Sequence, residues 1–344
     1  MISAQQLADW TARHLPAACR ARQPVELVAL PGDAGFRRYF RVVAEPTVIA
    51  THAPPAQEDI PAFITKGQAL AHAGVRVPRV YAVDYENGFL LQEDLGSELM
   101  ATALGANAAD ACYRLALDTL RGIQQVAPDP VVFPAYGAAL LQEELALFPR
   151  WFVGELLGVS LTAKDQSVID ELCAVLLASA GEQPRVVVHR DYHSRNLLLT
   201  GSGGLGVVDF QDAVIGPATY DPVSLLRDCY HRLAEADLDR YFDRYLDAAA
   251  VPAAERRQWR RWFDLMGLQR HIKVLGIFAR LWLRDGKPRY LEDLPLVIRY
   301  VLEVAQCYPE TQRFRGWFEA RLLPALVRQP WYRDWRTAGD RCAP

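Results

Sequence analysis

Residues 186–212, VVVHRDYHSRNLLLTGSGGLGVVDFQD, put His189, Asp191 and Asn196 ahead of one short apolar run and Asp209 after the next. Carboxylates and an amide at this spacing can hold a hard cation and orient a hydroxyl. Leu197 to Leu199 and Leu205 to Val208 read as strands, with Gly201-Ser202-Gly203-Gly204 as the turn between them. A turn centred between Ser202 and Gly203 sets Asn196 opposite Asp209. Directly opposed residues of an antiparallel pair have Cβ atoms roughly 4.5–5.5 Å apart. A carboxylate and an amide oxygen that close can share Mg²⁺, which takes few protein oxygens and completes its shell with phosphate and water. Asp191 precedes Asn196 on the loop feeding the same hairpin. The chemistry favoured is phosphoryl transfer, with a metal pair for the nucleotide and a carboxylate for the accepting hydroxyl.

An ordinary surface hairpin with polar ends is the plainer explanation, and the spacing argues against it. His-x-Asp-x-x-x-x-Asn, followed by Asp-Phe thirteen residues after the Asn, matches the catalytic loop and metal aspartate of protein-kinase-like enzymes. HRDYHSRN and VVDFQDAVIGPATYDPVSLLRD resemble those of the aminoglycoside phosphotransferase and choline kinase family of small-molecule kinases. Protein kinases fit less well, because Asp-Phe-Gly, Ala-Pro-Glu and Val-Ala-Ile-Lys are missing.

Four stretches are similar to the branch of that family acting on amino sugars in cell-wall recycling: GDAGFRRYFRV (32–42), APPAQED (53–59), VDFQDAVIGPATYDPVSLLRDCY (208–230) and GIFARLWLRDGKPRYLEDLP (276–295). The resemblance spans nearly the whole chain. It implies an α+β, two-lobed protein-kinase-like fold, with a small β-rich N-terminal lobe and a larger, mainly helical C-terminal lobe. It also implies ATP as co-substrate, Mg²⁺ as cofactor, and transfer to the anomeric hydroxyl of an N-acetyl amino sugar, N-acetylmuramate or N-acetylglucosamine. A kinase for another small alcohol, such as an aminoglycoside or amino alcohol, is one alternative. A nucleotide-binding pseudokinase is another.

The elements needed to position these groups are legible. An amphipathic helix opens the chain, and VELVAL (25–30), RRYFRVV and TVIATHAPP read as strands. PAFITKGQALAHAG (61–74) reads as a helix ended by Gly74, and VPRVYAVD and GFLLQEDL as a hairpin turned at Asn87-Gly88. Residues 1–95 are expected to form the nucleotide-binding lobe and 96–344 the catalytic and acceptor-binding lobe, with helices dominating the second.

On the nucleotide side, the resemblance lays Asp33, Ala34, Gly35 and Phe36 over the phosphates, with Arg37 or Arg38 pairing to them. It makes Gln92, Glu93 and Leu95 the hinge that meets adenine. The family's third-strand lysine and its helix glutamate are missing from the pattern, since TVIATHAPP offers only His52.

On the acceptor side Asp191 is the expected general base or orienting carboxylate, and His189 a structural residue of the loop. His193, Arg195, Gln211 and Asp212 are candidate sugar contacts, while Asp221 caps a helix or braces the loop. Lys273, Ile277, Arg280 and Arg284 share a helical face within the basic segment 255–290. That face suits an anionic acceptor and disfavours a polycation, unless it is simply a solvated surface, as Arg256 to Arg261 are taken to be. Glu144, Phe148 and Trp151 line up as a second acceptor wall if Pro149 leaves the helix intact; otherwise the aromatics belong to the core.

The composition agrees with an enzyme. The chain has 344 residues, enough for two lobes, and a net charge of −3 that argues against nucleic-acid binding. Six cysteines without C-x-x-C spacing indicate neither zinc nor a disulfide framework. No run approaches the ~18 apolar residues of a spanning helix. A cytoplasmic monomer is expected.

Overall fold

The computed structural model describes residues 4–30, 35–104, 109–201 and 203–340. It comprises two compact units, Met1–Ala106 with Arg195–Asp212, and Asn107–Ser194 with Ala213–Pro344. The N-terminal unit therefore runs past the expected boundary at Leu95 and takes in the hairpin of Arg195–Asp212 from far down the chain.

The N-terminal unit contains α1 (Ala4–His14), β1 (Arg20–Ala21), β2 (Leu27–Ala29), β3 (Arg38–Val42), β4 (Ala44–Glu45), β5 (Val48–His52), α2 (Ile60–His72), β6 (Val80–Asp84), β7 (Phe89–Glu93) and α3 (Met100–Ala103). The five expected strands form one antiparallel sheet in the order β2-β3-β5-β7-β6, and β1 pairs with β4 apart from it. Val42, Val48, Ala50, Phe89 and Leu91 alternate onto one face, where Leu7 and Trp10 of α1 cover them. The start of α2 is capped by Asp59, whose carboxylate accepts the Ala62 N–H at 2.9 Å. Its end is followed by Gly74 at φ 82°, a conformation that favours glycine.

The hairpin differs from expectation by one residue. Leu205 faces Leu199, Gly206 faces Leu198 and Val207 faces Leu197, so Asn196 meets Val208, whose N–H donates to the Asn196 carbonyl at 3.1 Å. The reason is the turn: Thr200 and Gly204 close it, leaving an odd number of residues between them in place of a two-residue loop. A one-residue slip normally sends a side chain to the other face. Here Asp209 leaves the strand at φ 64°, and its Oδ2 comes within 3.5 Å of Asn196 Nδ2. The hairpin is fastened to its own unit by Leu199 N–H to the Glu98 carbonyl and Val207 N–H to the Arg76 carbonyl, both 2.8 Å. At Gly206 a Cβ would stand 2.7 Å from Leu95 Cδ1, so only glycine lets Leu95 lie there.

In the C-terminal unit the α-helices are α4 (Ala109–Gln124), α5 (Ala138–Leu145), α6 (Ala163–Gly181), α7 (Tyr220–Leu226), α8 (Glu235–Ala248), α9 (Arg256–Leu283), α10 (Tyr290–Ala305), α11 (Gln312–Arg321) and α12 (Leu323–Leu326) among the described residues, with a π-helical stretch Phe148–Leu156 after α5. A strand pair absent from the sequence reading joins Arg185–Val188 to Val214–Pro217 and flanks the hairpin on both sides in sequence. Helix α9 is the axis of the unit. Residues 263–276 are buried throughout, so Asp264, Gln269, Arg270, His271 and Lys273 enter the interior with the apolar side chains. Such a helix needs an internal partner for each polar group.

Candidate active site

In the N-terminal unit, Asn196 and Asp209 form a donor set of one amide and one carboxylate. Among the described residues no group of three or more acidic, histidine or cysteine side chains could enclose a metal ion. A two-oxygen set fits Mg²⁺, which leaves the rest of its shell to phosphate and water.

Beside that set stands a basic group. Arg37 Nε donates to Glu58 Oε2 at 2.8 Å, and Arg37 Nη1 donates to Gln211 Oε1 at 2.8 Å. Gln211 Nε2 donates to Asp209 Oδ1 at 2.7 Å, and the Gln211 carbonyl accepts from Lys66 Nζ at 2.6 Å. Gln211 is thus engaged inside its own unit, a different use from the expected sugar contact, and its Nε2 also lies 3.4 Å from Asp212 Oδ2. Neither Lys66 nor Glu58 was expected here. The sequence does carry a signal for Lys66, a lysine on the apolar stripe of Ile60, Phe63 and Leu70 along α2.

His52 does not replace the missing lysine. Burial and nearby Arg38 push its pKa below the ordinary histidine value, and its ring lies edge-on to Phe89 at 5.9 Å. Of the expected phosphate loop, Asp33 and Ala34 lie outside the described residues, while Gly35, Phe36 and Arg38 are exposed. At the expected hinge, Gln92 is buried and donates to Thr51 Oγ1 at 2.9 Å. Glu93 accepts two bonds from Arg76, and its N–H donates to the Arg79 carbonyl at 2.8 Å. Leu95 is buried, and Gly96 follows at φ 100° with its N–H given to Asp94.

In the C-terminal unit, the loop carrying Asp191 is held at both ends by carboxylates, one in the first turn of α7 and one just past its end. Asp221 accepts the N–H groups of His189 and Arg190 at 2.7 and 3.0 Å, so it braces the loop. Asp228 accepts the Ser194 N–H and Oγ–H at 3.0 and 2.5 Å. Tyr192 O–H donates to the Ala116 carbonyl, and buried His189 packs edge-on against Tyr192, the structural role expected for it. His193 lies edge-on to Tyr230, and Arg195, half-buried, belongs to the other unit.

Asp191 is surrounded by charge. Desolvation works to raise its pKa, but Lys273, His193, Arg270 and Arg190 outweigh it and hold the carboxyl below its ordinary value. Lys273 reaches this place because α9 passes directly against the chain after α5: at Gly276 a Cβ would stand 2.5 Å from the Leu147 carbonyl carbon. Lys273 is buried, with Nζ 2.8 Å from Glu144 Oε1 and 3.1 Å from the Tyr220 hydroxyl. Glu144 also accepts from Arg190 and from the Tyr136 hydroxyl. Arg270 is buried beside Asp191 and donates to Cys229 Sγ at 3.3 Å. Arg190, Arg270, Tyr136 and Tyr220 were missed: Arg190 adjoins Asp191 in the sequence, but only the folded chain brings Arg270 to Asp191 and the two tyrosine hydroxyls to Glu144 and Lys273.

The expected basic face divides. Lys273 is paired inside, Arg284 is exposed and bound to Asp285 at 2.7 and 2.9 Å, and Arg280 is half-buried. Arg280 Nε is buried without an acceptor among the described residues, and its pKa is lowered by burial and by Arg284. Arg256, Arg260 and Arg261 are in ion pairs with Asp247, Asp239 and Glu310. The second acceptor wall does not form: the chain turns π-helical at Phe148, which is core, and Trp151 packs against that core.

Comparison with known proteins gives the family and the fold. Residues 26–262 match the model of the phosphotransferase enzyme family. The chain is 43% identical over 316 residues to the N-acetylmuramate/N-acetylglucosamine kinase of Pseudomonas aeruginosa, covering 89% of this chain and 93% of that protein. It is 42% identical over 289 residues to the enzyme of the same name from Pseudomonas putida, covering 83% and 85%. Among solved structures, choline kinase from Cryptosporidium parvum Iowa II shares the fold, with a TM-score of 0.62 at 12% identity over 92% of this chain and all of that one. The architecture is therefore protein-kinase-like, and the chain belongs to the phosphotransferase enzyme family.

Proposed function

We propose that the protein transfers the terminal phosphoryl group of ATP to the anomeric hydroxyl of N-acetylmuramate and N-acetylglucosamine, yielding the sugar 1-phosphates for cell-wall recycling in the cytoplasm. The observation carrying this reading is the 43% identity to a kinase of that name across nearly its full length. The charge around Asp191 supports it.

Asp191 receives the proton of the anomeric hydroxyl as that oxygen bonds to the γ-phosphorus, the bond to the β,γ-bridging oxygen breaks and ADP leaves. The transition state is loose, so orientation of the hydroxyl counts for more than full deprotonation. Lys273 keeps Asp191 ionised, and Glu144 keeps Lys273 in place. Asn196 and Asp209 hold Mg²⁺, which when bound neutralises phosphate charge. Arg37 supplies the cation that β5 lacks. Arg280, with its buried and unpartnered Nε, takes the carboxylate of N-acetylmuramate. These cations disfavour a polycationic aminoglycoside as acceptor.

Transfer to C1 removes the reducing end. In a reaction with N-acetylmuramate and ATP, reducing sugar must disappear one for one as ADP forms. ADP formation with constant reducing sugar would place the phosphate elsewhere, and no sugar-dependent ADP at all would leave a nucleotide-binding protein without this activity.

A further inference from the structure

Asp209 is a non-glycine residue at φ 64°, a backbone conformation that persists only where neighbours hold it. What holds it is the segment that follows and the helix beneath. Phe210 stacks on Phe63 of α2, with ring centres 4.8 Å apart and planes at 16°. A Cβ at Gly67, one turn further along α2, would stand 3.1 Å from the Phe210 ring. Lys66, 6% exposed, donates to the carbonyl of Gln211. Helix α2 therefore touches the segment at three successive places on one face.

The Gln211 amide completes the arrangement. Its nitrogen donates to one oxygen of Asp209, which orients the carboxylate, while the other oxygen faces Asn196. Its own oxygen accepts from Arg37, whose side chain is 9% exposed, lies over Phe63 at 4.9 Å and is paired to Glu58. A neutral donor orients a carboxylate without taking its charge, so the charge stays available to a cation. Arg37 at the far end fixes which way the amide points, since a guanidinium can only donate.

We propose that Gln211 is a positioning residue for the metal-binding carboxylate of Asp209, locked by Arg37 and Lys66 so that the placement of α2 sets the metal affinity of the N-terminal unit. The proposal rests on Asp209 being a metal ligand. Outer groups that orient a ligand are typically worth about 10–100-fold in metal affinity.

The test is binding of Mn²⁺ in the presence of ADP, followed by the electron paramagnetic resonance signal of the free ion, on the full chain. Gln211→Leu is expected to weaken Mn²⁺ binding by about 10–100-fold. Gln211→Met keeps the length of the side chain but cannot donate to Asp209 and accepts only weakly from Arg37, and it is expected to weaken binding to the same extent. If both variants bind Mn²⁺ within about twofold of the native chain, the positioning role is overturned. Retention of native Mn²⁺ binding by Asp209→Ala would instead overturn the metal reading on which it rests.

Discussion

Glu144 Oε1 and Lys273 Nζ stand 2.8 Å apart inside the C-terminal unit, with side chains only 9% and 10% exposed. Residue type and helical spacing assign each of them separately to the sugar, yet the fold gives each to the other. A buried ammonium without a partner is costly, and so is a buried carboxylate. Once paired, both can remain charged beside Asp191.

Lys273→Met should therefore cost about 3 kcal/mol of stability, since it strands part of the charge of a buried pair. Arg190 remains to share Glu144, so the chain should still fold. The same change removes the first-named cation that lowers the Asp191 pKa. The acidic limb of the pH–rate profile should then move upward. Denaturant unfolding and a kcat/KM profile between pH 4 and 8 check the two effects; an unmoved limb would separate Lys273 from Asp191.

Asp191→Asn keeps the size of the side chain and removes its capacity to take a proton. Turnover should fall by about 10²–10⁴-fold. Affinity for ADP, measured by calorimetry, should stay within about twofold, because the residue acts on the acceptor. A variant with near-native turnover would mean that another group handles the hydroxyl proton.

Burial pushes the Asp221 carboxyl up to about 7, against the two N–H bonds it accepts from His189 and Arg190. The folded state then binds the proton more tightly than the unfolded chain. The stabilisation is complete below the ordinary carboxylate range and is lost as pH rises through about 7. Relative to Asp221→Asn, the native chain should lose stability between pH 5 and pH 8, on the order of a few kcal/mol. Urea midpoints at both pH values for both proteins measure it. A native chain that gains on the variant as pH rises would mean that the N–H bonds keep Asp221 ionised.

Arg280→Met should lower kcat/KM for N-acetylmuramate by about 10–100-fold, the loss of one charge-assisted hydrogen bond. N-acetylglucosamine, which lacks the carboxylate, should change by about twofold or less. Arg284→Met should spare both sugars, because Arg284 is already spent on Asp285. Parallel kinetics on the two sugars decide the matter, and equal losses in Arg280→Met would take the carboxylate elsewhere.

The chain order alone carries much of this protein. The alternation of Val48, Ala50, Phe89 and Leu91, the Asp59 cap, Gly74 and the spacing of Asp191, Asn196 and Asp209 are local signals, set by neighbours a few residues away. Local signals also bring Asn196 near Asp209, although the hairpin register slipped by one and the left-handed backbone of Asp209 restored the approach. What the order of residues does not carry is which charges meet. Lys273 finds Glu144 because Gly276 lets α9 close on Leu147, and Gln211 finds Arg37 because α2 grips Phe210. A helical face with several cations reads the same whether they are solvated, paired or waiting for a ligand. Packing alone decides among these, because it determines how far each group is removed from water and what stands within hydrogen-bond reach when it is.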